Sequence, residues 1–307
     1  MMKVGMVGVG CISGIYLKNF KETFKDVQLV AVCDLIRERA EKAQKEYNIP
    51  KIYDTMEELF ADPEIDIVLN LTRPYQHYEV SKGALEAGKH VYSEKPLGAD
   101  WEEGTALVKL AQEKGLWIGG APDTFMGAGI QTCRKLIDEG LIGNIVSFRT
   151  TFGHGGPETW SINPGKNTWF FDKSKAAMGV MADLGVHKTD LIHFLTGERV
   201  IRTTAKLTTL DKRGEDGELI GVDDNAFCIY ELTGGIVGTM TASWTFYGAE
   251  DNSTILYGTK GIMRIYDDPA HSIVVKLADG EEKFYDVEQI QTNDNQTKSG
   301  VIDLWVD

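Results

Sequence analysis

The stretch KVGMVGVGCIS, residues 3–13, decides the fold class of this chain. Its first six residues are mostly apolar and predict a short strand, and a glycine turn and the start of a helix follow. Gly8 and Gly10 match the first two positions of the pattern G-x-G-x-x-G, and Ser13 stands at the third. The first glycine permits the tight turn, the second lets a pyrophosphate approach the backbone, and the third position needs only a small side chain.

The stretch therefore predicts a strand, a turn and a helix (about 13–25) whose N-terminus binds the phosphates of a dinucleotide. A glycine-rich turn without a ligand is the alternative. We expect the cofactor to contact the turn residues Gly8, Gly10, Cys11 and Ile12.

The choice of cofactor depends on Asp34, at the end of the second predicted strand (27–33) and 24 positions after Gly10 (34 − 10). A carboxylate there can accept hydrogen bonds from the ribose hydroxyls of NAD, and it would repel the 2′-phosphate of NADP. Leu35 and Ile36 follow, where a basic residue would suit NADP. The sequence favours NAD over NADP, with Asp34 and Leu35 beside the ribose. The alternative is that Asp34 only caps the next helix.

The rest of the first half alternates short apolar strands with amphipathic helices, which is typical of a parallel sheet covered on both faces. The predicted strands are 66–71, 90–94 and 116–120, and the predicted helices are 36–47, 76–87 and 101–114.

The second half has fewer helices and many short strands with tight turns, which predicts an α+β domain with a mostly antiparallel sheet. The predicted helices are 127–139 and 181–195, and the predicted strands are 145–153, 203–210, 225–233, 236–244, 254–258, 262–266, 273–277 and 283–287. We expect a dinucleotide-binding domain at 1–121 and a substrate-binding and oligomerisation domain at 122–307.

Composition excludes several classes of function. The 307 residues carry a formal net charge of −14, which disfavours binding to nucleic acid or to an anionic membrane surface. The four cysteines form no CxxC pair and no cluster with metal-ligand spacing, so we expect reduced thiols, no metal site and a cytoplasmic location. The chain has no apolar run of about 18 residues that could span a membrane.

The stretch ADLGVHKTDL, residues 182–191, places titratable groups beside a predicted core. On an α-helix, Asp183, His187 and Asp190 would share one face because their spacing is i, i+4, i+7. Buried acids and imidazoles are costly unless they are paired or functional. The leucines of the adjacent, apolar face are Leu184, Leu191 and Leu195.

Three stretches together, GVGCIS (8–13), SEKPLG (93–98) and DLGVHKTD (183–190), resemble the glucose–fructose oxidoreductase / inositol dehydrogenase (Gfo/Idh/MocA) family. The resemblance covers nearly the whole chain. It implies an N-terminal Rossmann domain and a C-terminal α+β domain with a large open sheet. It also implies a homodimer or homotetramer formed through that sheet.

The resemblance assigns catalytic roles to Lys95, Asp183 and His187. His187 would take the hydroxyl proton while hydride leaves to the nicotinamide, and the Lys95 ammonium would steady the developing alkoxide. Asp183 would hold the substrate and orient the imidazole, and Asp190 could support the ring from below. A histidine satisfied within the core is the alternative for His187.

Weaker matches extend the resemblance. NLTRPYQH (70–77) is similar to a cofactor-contacting turn of the family, and the peptide bond before Pro96 is often cis in that family. APDTF (121–125) departs from the family's Asn-Arg-Arg-Phe turn, so a basic substrate contact is absent there. Expected cofactor contacts from these stretches are Thr72, Arg73, His77, Glu94 and Lys95. Expected substrate contacts are Lys95, Asp123, His154, Trp169, Asp183 and His187.

His154, Trp160 and Trp169 could line a sugar-sized pocket, and they could equally be loop packing. The sequence thus predicts an NAD-dependent oxidoreductase acting on a secondary alcohol or ketone of a sugar, inositol or sugar-like compound. Two alternatives are a redox-assisted glycosidase or epimerase with retained NAD, and a non-catalytic nucleotide-sensing regulator on the same fold. Relatives usually continue for several helical turns beyond the point that matches SGVIDLWVD (299–307), and a shortened end would bear on activity.

Overall fold

The computed structural model describes residues 1–122, 124–161 and 164–287. Two compact units divide these residues, the first within 1–122 and the second within 124–287. The closing stretch SGVIDLWVD and Asp123 lie outside the described residues.

The first unit contains a six-stranded, all-parallel sheet in the order β3-β2-β1-β4-β5-β6. Its strands are β1 (Met2–Val7), β2 (Val27–Cys33), β3 (Lys51–Tyr53), β4 (Ile67–Asn70), β5 (His90–Ser93) and β6 (Ile118–Gly120). The order reverses between β1 and β4, and ligands of such sheets bind at this reversal, beyond the carboxyl ends of the strands. The predicted doubly wound α/β class is confirmed.

Helices connect these strands, and local signals set several of their ends. They are α1 (Ser13–Glu22), α2 (Arg37–Tyr47), α3 (Met56–Ala61), α4 (Pro74–Glu86) and α5 (Trp101–Lys114). The Asp100 side chain accepts the Glu103 N–H to begin α5, and Gly115 ends it with a φ of 65°. β3 and α3 were not predicted from the sequence, because elements of three and six residues show too little periodicity.

The second unit contains an eight-stranded sheet in the order β14-β13-β12-β11-β7-β10-β9-β8. Its strands are β7 (Ile145–Gly153), β8 (Val200–Thr208), β9 (Asn225–Leu232), β10 (Val237–Ser243), β11 (Thr254–Gly258), β12 (Gly261–Ile265), β13 (Ile273–Leu277) and β14 (Glu282–Tyr285). Only β7 and β10 pair in parallel among these strands, so the predicted mostly antiparallel sheet is confirmed. Gly235 and Gly280, both with positive φ, lie in the tight turns between β9 and β10 and between β13 and β14.

Helices cover one face of this sheet, and the core lies beneath them. They are α6 (Ala128–Asp138), α7 (Lys173–Ala176) and α8 (Val186–Thr196). Ile130 of α6, Leu191 and Leu195 of α8 and Phe148 of β7 belong to one buried cluster. On β9 and β10 the alternate residues Phe227, Ile229 and Val237 are exposed. The sheet is therefore apolar on part of its outer face as well.

The predicted helix 181–195 differs from the structure in its first turn. Residues Met181–Gly185 form a π-helical turn, and the α-helix begins only at Val186. Asp183 therefore lies in the π-helical turn, whereas His187 and Asp190 lie in the α-helix. Single π-helical turns of this kind are frequent at functional sites.

Within the three described ranges, no helix has the length and apolar content needed to cross a bilayer.

Candidate functional site

The glycine turn of the first unit has the backbone that a phosphate site requires. Gly8 has a φ of +98°, and a Cβ there would lie 2.7 Å from the carbonyl oxygen of Leu71. A Cβ on Gly10 would meet open space instead. Ser13 is buried and its hydroxyl donates to the carbonyl of Gly10 at 2.7 Å, which explains why the third position must be small. The turn therefore leaves the backbone around Gly10 open to a ligand.

Asp34 fastens this turn to the end of β2. Its Oδ2 accepts the N–H of Val9 at 2.6 Å and its Oδ1 accepts the N–H of Ile36 at 2.7 Å. Asp34 therefore links the glycine turn to the residue that precedes α2, and Ile36 itself provides no side-chain cap. Leu35 is 90% exposed beside it. These features fit a dinucleotide. The first turn of α1 has no side-chain cap, so its N–H groups are available to phosphates, and the open glycine turn and the Asp34 carboxylate lie beside it.

His77 connects two loops at the carboxyl ends of β4 and β5. It is 1% exposed, and its ring nitrogens lie 2.9 Å from the carbonyl oxygen of Thr72 and 2.6 Å from that of Pro96. The Thr72 hydroxyl donates to Asn70 Oδ1 at 2.6 Å. Arg73, exposed, precedes α4. The imidazole of His77 thus holds the shape of both loops from within.

The Glu94-Lys95-Pro96 turn is fixed by the carboxylate of Glu94. The hydroxyl of Tyr16 donates to Glu94 Oε1 at 2.8 Å, and the Lys95 N–H donates to Oε2 at 3.1 Å. The Lys95–Pro96 peptide bond is cis. Both oxygens of Glu94 are therefore engaged in holding the backbone that carries the half-buried Lys95.

In the second unit, a buried indole holds the carboxylate of Asp183. Trp244 follows β10, is fully buried, and its Nε1–H donates to Asp183 Oδ2 at 3.1 Å. This hydrogen bond fixes the direction in which the carboxyl group points. Asp183 is thereby oriented by a residue far from it in sequence.

His187 lies in the first turn of α8 and packs edge-on against the ring of Phe152, with the ring centroids 6.0 Å apart. It borders a small cavity of about 20 Å³ within the second unit. The other residues that line the cavity are Ile130, Phe152, Lys188, Leu191, Asn252 and Tyr266.

Asp190 does not support the imidazole in the way that the sequence suggested. Its Oδ2 is buried and makes no hydrogen bond to any described residue. Burial raises the pKa of Asp190 to about 6. This carboxyl group therefore occupies an apolar environment without a neutralising partner.

Lys188, next to His187, is almost completely buried, with 2% exposure. Its Nζ donates to the carbonyl of Asn252 at 2.9 Å and to the hydroxyl of Thr254 at 3.3 Å. Burial is the main influence on the pKa of Lys188 and lowers it to about 7. The negative charges of Asp251 and Glu250 act in the opposite direction and raise it. An amine with this pKa is largely neutral above pH 7.

The loop between β7 and α7 forms a run of aromatic contacts. Trp169 stacks on Phe170 at 3.9 Å, Trp160 meets Phe170 at 5.2 Å, and His154 meets Trp160 at 6.0 Å between centroids. His154 Nδ1 also accepts the N–H of Gly156 at 3.0 Å. These contacts show loop packing, while Trp160 keeps 40% of its surface exposed. The run reaches Phe152, whose ring contacts both His154 and His187.

No group of three or more His, Cys, Asp or Glu side chains that could hold a metal ion occurs in the part of the chain that the structure describes.

Family models match both units. Residues 2–119 match the oxidoreductase family with an NAD-binding Rossmann fold, and residues 130–264 match the GFO/IDH/MocA C-terminal domain. The chain belongs to the Gfo/Idh/MocA family. The resemblance found in the sequence, and NAD as the cofactor of the Rossmann unit, are thereby confirmed.

Named Gfo/Idh/MocA relatives are dehydrogenases. Levoglucosan dehydrogenase of Pseudarthrobacter phenanthrenivorans is 29% identical over 73% of this chain and 61% of its own length. Bovine trans-1,2-dihydrobenzene-1,2-diol dehydrogenase is 28% identical over 92% of this chain and 79% of its own length. A solved levoglucosan dehydrogenase in complex with NADH and levoglucosan shares the fold, with a TM-score of 0.80, 24% identity, and 92% and 80% coverage of the two chains.

Two residues of this Gfo/Idh/MocA chain escaped the sequence analysis. Lys188 had a readable signal, because it falls between Leu184 and Leu191 in the apolar stripe of α8. A lysine within a core stripe is rarely buried unless its amine is paired or neutral. Trp244 gave no signal, because its partner Asp183 is 61 positions away.

Proposed function

We propose that this protein is an NAD-dependent oxidoreductase that transfers a hydride between nicotinamide and a secondary alcohol or ketone of a sugar, inositol or sugar-like substrate. The observation that carries the proposal is the Asp183–Trp244 hydrogen bond at the turn that leads into His187. A carboxylate held by a buried indole beside an imidazole suits a site that binds a hydroxyl group and removes its proton. The dehydrogenase relatives support the same reaction class.

The first unit would hold the cofactor, and we place the boundary of this domain near residue 121. The open backbone at Gly10 would bind the pyrophosphate and Asp34 the adenosine ribose, with Cys11, Ile12 and Leu35 around them. Thr72, Arg73 and Glu94 would lie along the nicotinamide half, on loops whose shape His77 fixes. NAD, when bound, supplies the hydride acceptor.

The second unit, 122–307, would bind the substrate and supply the base. His187 would accept the hydroxyl proton during oxidation and return it during reduction. Asp183 would bind a substrate hydroxyl and keep the charge of the imidazolium balanced. Lys95, from the cofactor domain, would stabilise the alkoxide that develops on the substrate oxygen.

A sugar or polyol substrate suits the aromatic loop. Trp160 and Trp169 offer ring faces that pack on the C–H surface of a sugar ring, and His154 offers a ring at the end of the same run. Asp123, which departs from the basic turn of many relatives, would accept hydroxyl hydrogens rather than bind an anion. Neutral polyhydroxylated substrates are therefore favoured over strongly anionic ones.

The test is a panel of sugars, anhydrosugars, inositols and their keto forms, assayed with NAD(H) and NADP(H) by nicotinamide absorbance. We expect net NADH formation with at least one neutral polyol and a preference for NAD. Product formation without net NADH would instead indicate a glycosidase or epimerase that retains NAD. Tight NAD binding with no turnover of any compound would indicate a nucleotide-sensing regulator.

We also propose a homodimer or homotetramer formed through the outer face of the eight-stranded sheet. Phe227, Ile229 and Val237 expose 44%, 48% and 45% of their surfaces there, on adjacent strands. Light scattering should show an oligomer that Ile229→Lys dissociates. Trp101→Lys, which changes an exposed aromatic residue of α5, should leave the oligomer intact. A monomer at micromolar concentration would refute the assembly.

A further inference from the structure

The cavity beside His187 is large enough for one water molecule and has polar groups to hold it. Its volume of about 20 Å³ exceeds the roughly 10–15 Å³ that a single water needs. Four of the residues that line it carry polar side chains, namely His187, Lys188, Asn252 and Tyr266, and a buried water makes about three hydrogen bonds. The remaining lining is apolar, which leaves these groups as the partners.

Lys188 is placed on this cavity by contacts that leave its amine protonatable. Two acceptors, the Asn252 carbonyl and the Thr254 hydroxyl, bind Nζ, and the Thr254 hydroxyl is itself 2.7 Å from that of Thr150. The centroid of the Phe152 ring lies 5.8 Å from the same nitrogen. The Phe152 ring also packs against His187 in an edge-to-face arrangement. Neither acceptor is a carboxylate, and no ion pair with another described residue fixes the amine in its charged form.

Two exposed acidic residues interact electrostatically with the Lys188 amine. Glu250 and Asp251 precede β11, are both exposed, and attract a charge on Lys188. The other titratable groups around the cavity are His187 on the same helix and Tyr266 after β12, and burial raises the pKa of Tyr266 to about 12, so it stays neutral. Glu250 and Asp251 are therefore the acids whose charge favours a proton on the Lys188 amine.

We propose that a water molecule in this cavity passes the substrate proton from His187 to the neutral amine of Lys188, from which it reaches solvent at Glu250 and Asp251. This inference rests on the proposed function, because it needs a substrate hydroxyl as the source of the proton. Lys188 does not touch the substrate and acts through His187.

The step balances without any co-reactant. The substrate O–H bond breaks as the imidazole gains a proton on one nitrogen, and the imidazolium gives up the proton on its other nitrogen to the water. The water passes a proton to Nζ, which changes from NH₂ to NH₃⁺, and the water is regenerated. Release of that proton to the exposed carboxylates and solvent restores the amine, and reduction of a ketone runs the same path in reverse.

The first experiment measures the amine without any turnover. Lysine labelled with ¹³C at Cε reports the protonation of each side chain by NMR, and Lys188→Met identifies the signal. We expect the Lys188 signal to titrate close to pH 7 in the unmutated protein, in the absence of substrate. An amine that stays protonated at pH 9 overturns the relay whatever the activity.

The second experiment measures the relay during turnover. Lys188→Met should lower kcat for oxidation about tenfold, a fraction of the full acid–base contribution, and make the rate depend on added methylamine. In the unmutated protein, we expect the rate to fall below pH 7 as the Lys188 amine becomes protonated. Lys188→Met should abolish this fall. The matched control is Lys89→Met, because Lys89 is also buried and donates to two carbonyls, those of Asp62 and Ile65.

The outcomes separate the relay from the function that it serves. If the unmutated protein turns over no substrate, or if His187→Asn is as active as the unmutated protein, the proposed function fails and the relay fails with it. If His187→Asn is inactive while Lys188→Met keeps the rate and pH profile of the unmutated protein, only the relay is overturned. Thermal unfolding of Lys188→Met checks that the variant is folded.

Discussion

His77 in the first unit and His187 in the second were both site candidates, yet their surroundings differ. Both ring nitrogens of His77 contact backbone carbonyls, so its imidazole holds two loops together and has no nitrogen left for a ligand. His187 instead borders a cavity that it shares with a buried lysine. The same residue type therefore bridges two loops in one unit and borders a cavity in the other.

This contrast extends to the two sites as wholes. In the first unit the backbone of the glycine turn would do the binding, and side chains such as Asp34 and Glu94 hold that backbone in place. In the second unit the side chains themselves would act, and others such as Trp244 orient them. Substitutions around the glycine turn should change affinity and cofactor choice, and those around His187 should change the chemical step.

His187→Asn should separate the chemical step from cofactor binding most clearly. We expect kcat to fall by about 10²-fold or more, the usual scale for losing an acid–base group, with NAD affinity unchanged. Calorimetry measures the affinity before steady-state kinetics are taken. His271→Asn, which changes a histidine paired with Asp286 in the same unit, is the control and should keep full activity. Near-full activity of His187→Asn would mean that the imidazole is structural.

Cofactor choice should respond only to the first unit. Asp34→Ser combined with Leu35→Arg removes a carboxylate that repels a 2′-phosphate and adds a cation that attracts it. We expect the ratio of kcat/KM for NAD to that for NADP to fall by about tenfold or more, on the scale of one to two kcal/mol of charge interaction. Comparable kcat/KM values for both cofactors in the unmutated protein would contradict the role of Asp34.

The Trp244–Asp183 hydrogen bond tests whether positioning matters in the second unit. Trp244→Phe keeps an aromatic ring and removes the N–H, and we expect kcat/KM to fall about tenfold, as for loss of one hydrogen bond to a charged group. In a double-mutant cycle with Asp183→Asn, the two losses should be less than additive. Trp117→Phe, at a residue that is 72% exposed, should have no effect. Additive losses would show that the indole acts independently of Asp183.

His77→Leu tests the structural role of the first histidine. The change removes the imidazole from the partly buried carbonyl groups of Thr72 and Pro96 and deletes at least one hydrogen bond, so we expect the free energy of unfolding to fall by about 2 kcal/mol. KM for NAD should rise because both cofactor loops lose a tether, and kcat should change little. Urea unfolding and the two kinetic constants are the measurements. A loss confined to kcat would place His77 in the chemistry instead.

The smallest expected effect concerns Asp190. Burial raises the pKa of Asp190 from the ordinary 3.8 to about 6. Between pH 3.8 and pH 6, the carboxyl group is therefore protonated in the folded state and ionised in the unfolded state. Stability therefore falls as pH rises through this window, and the ionised carboxylate destabilises the fold above it. We expect Asp190→Asn to raise the free energy of unfolding by about 1 kcal/mol at pH 8, and by nothing at pH 3.5. Equal effects at both pH values would exclude titration as the cause.

The sequence by itself determined the features that depend on neighbouring residues. The turn at Gly8 and Gly10 follows from backbone freedom and open space, and the alternation of apolar strands with amphipathic helices follows from periodicity. Asp183 and His187 were found because their residue types and spacing match a family motif. Each of these signals lies within a window of about a dozen residues.

Only the tertiary structure decided which side chains surround those residues. Trp244 meets Asp183 across 61 positions, and Lys188 meets Asn252 across 64, because the end of β10 and the loop before β11 both lie against the helix that carries His187. The π-helical turn at Met181–Gly185 likewise has no local signal in the sequence. Burial then sets the pKa of Lys188 and Asp190, since desolvation depends on the whole packed environment and not on sequence neighbours.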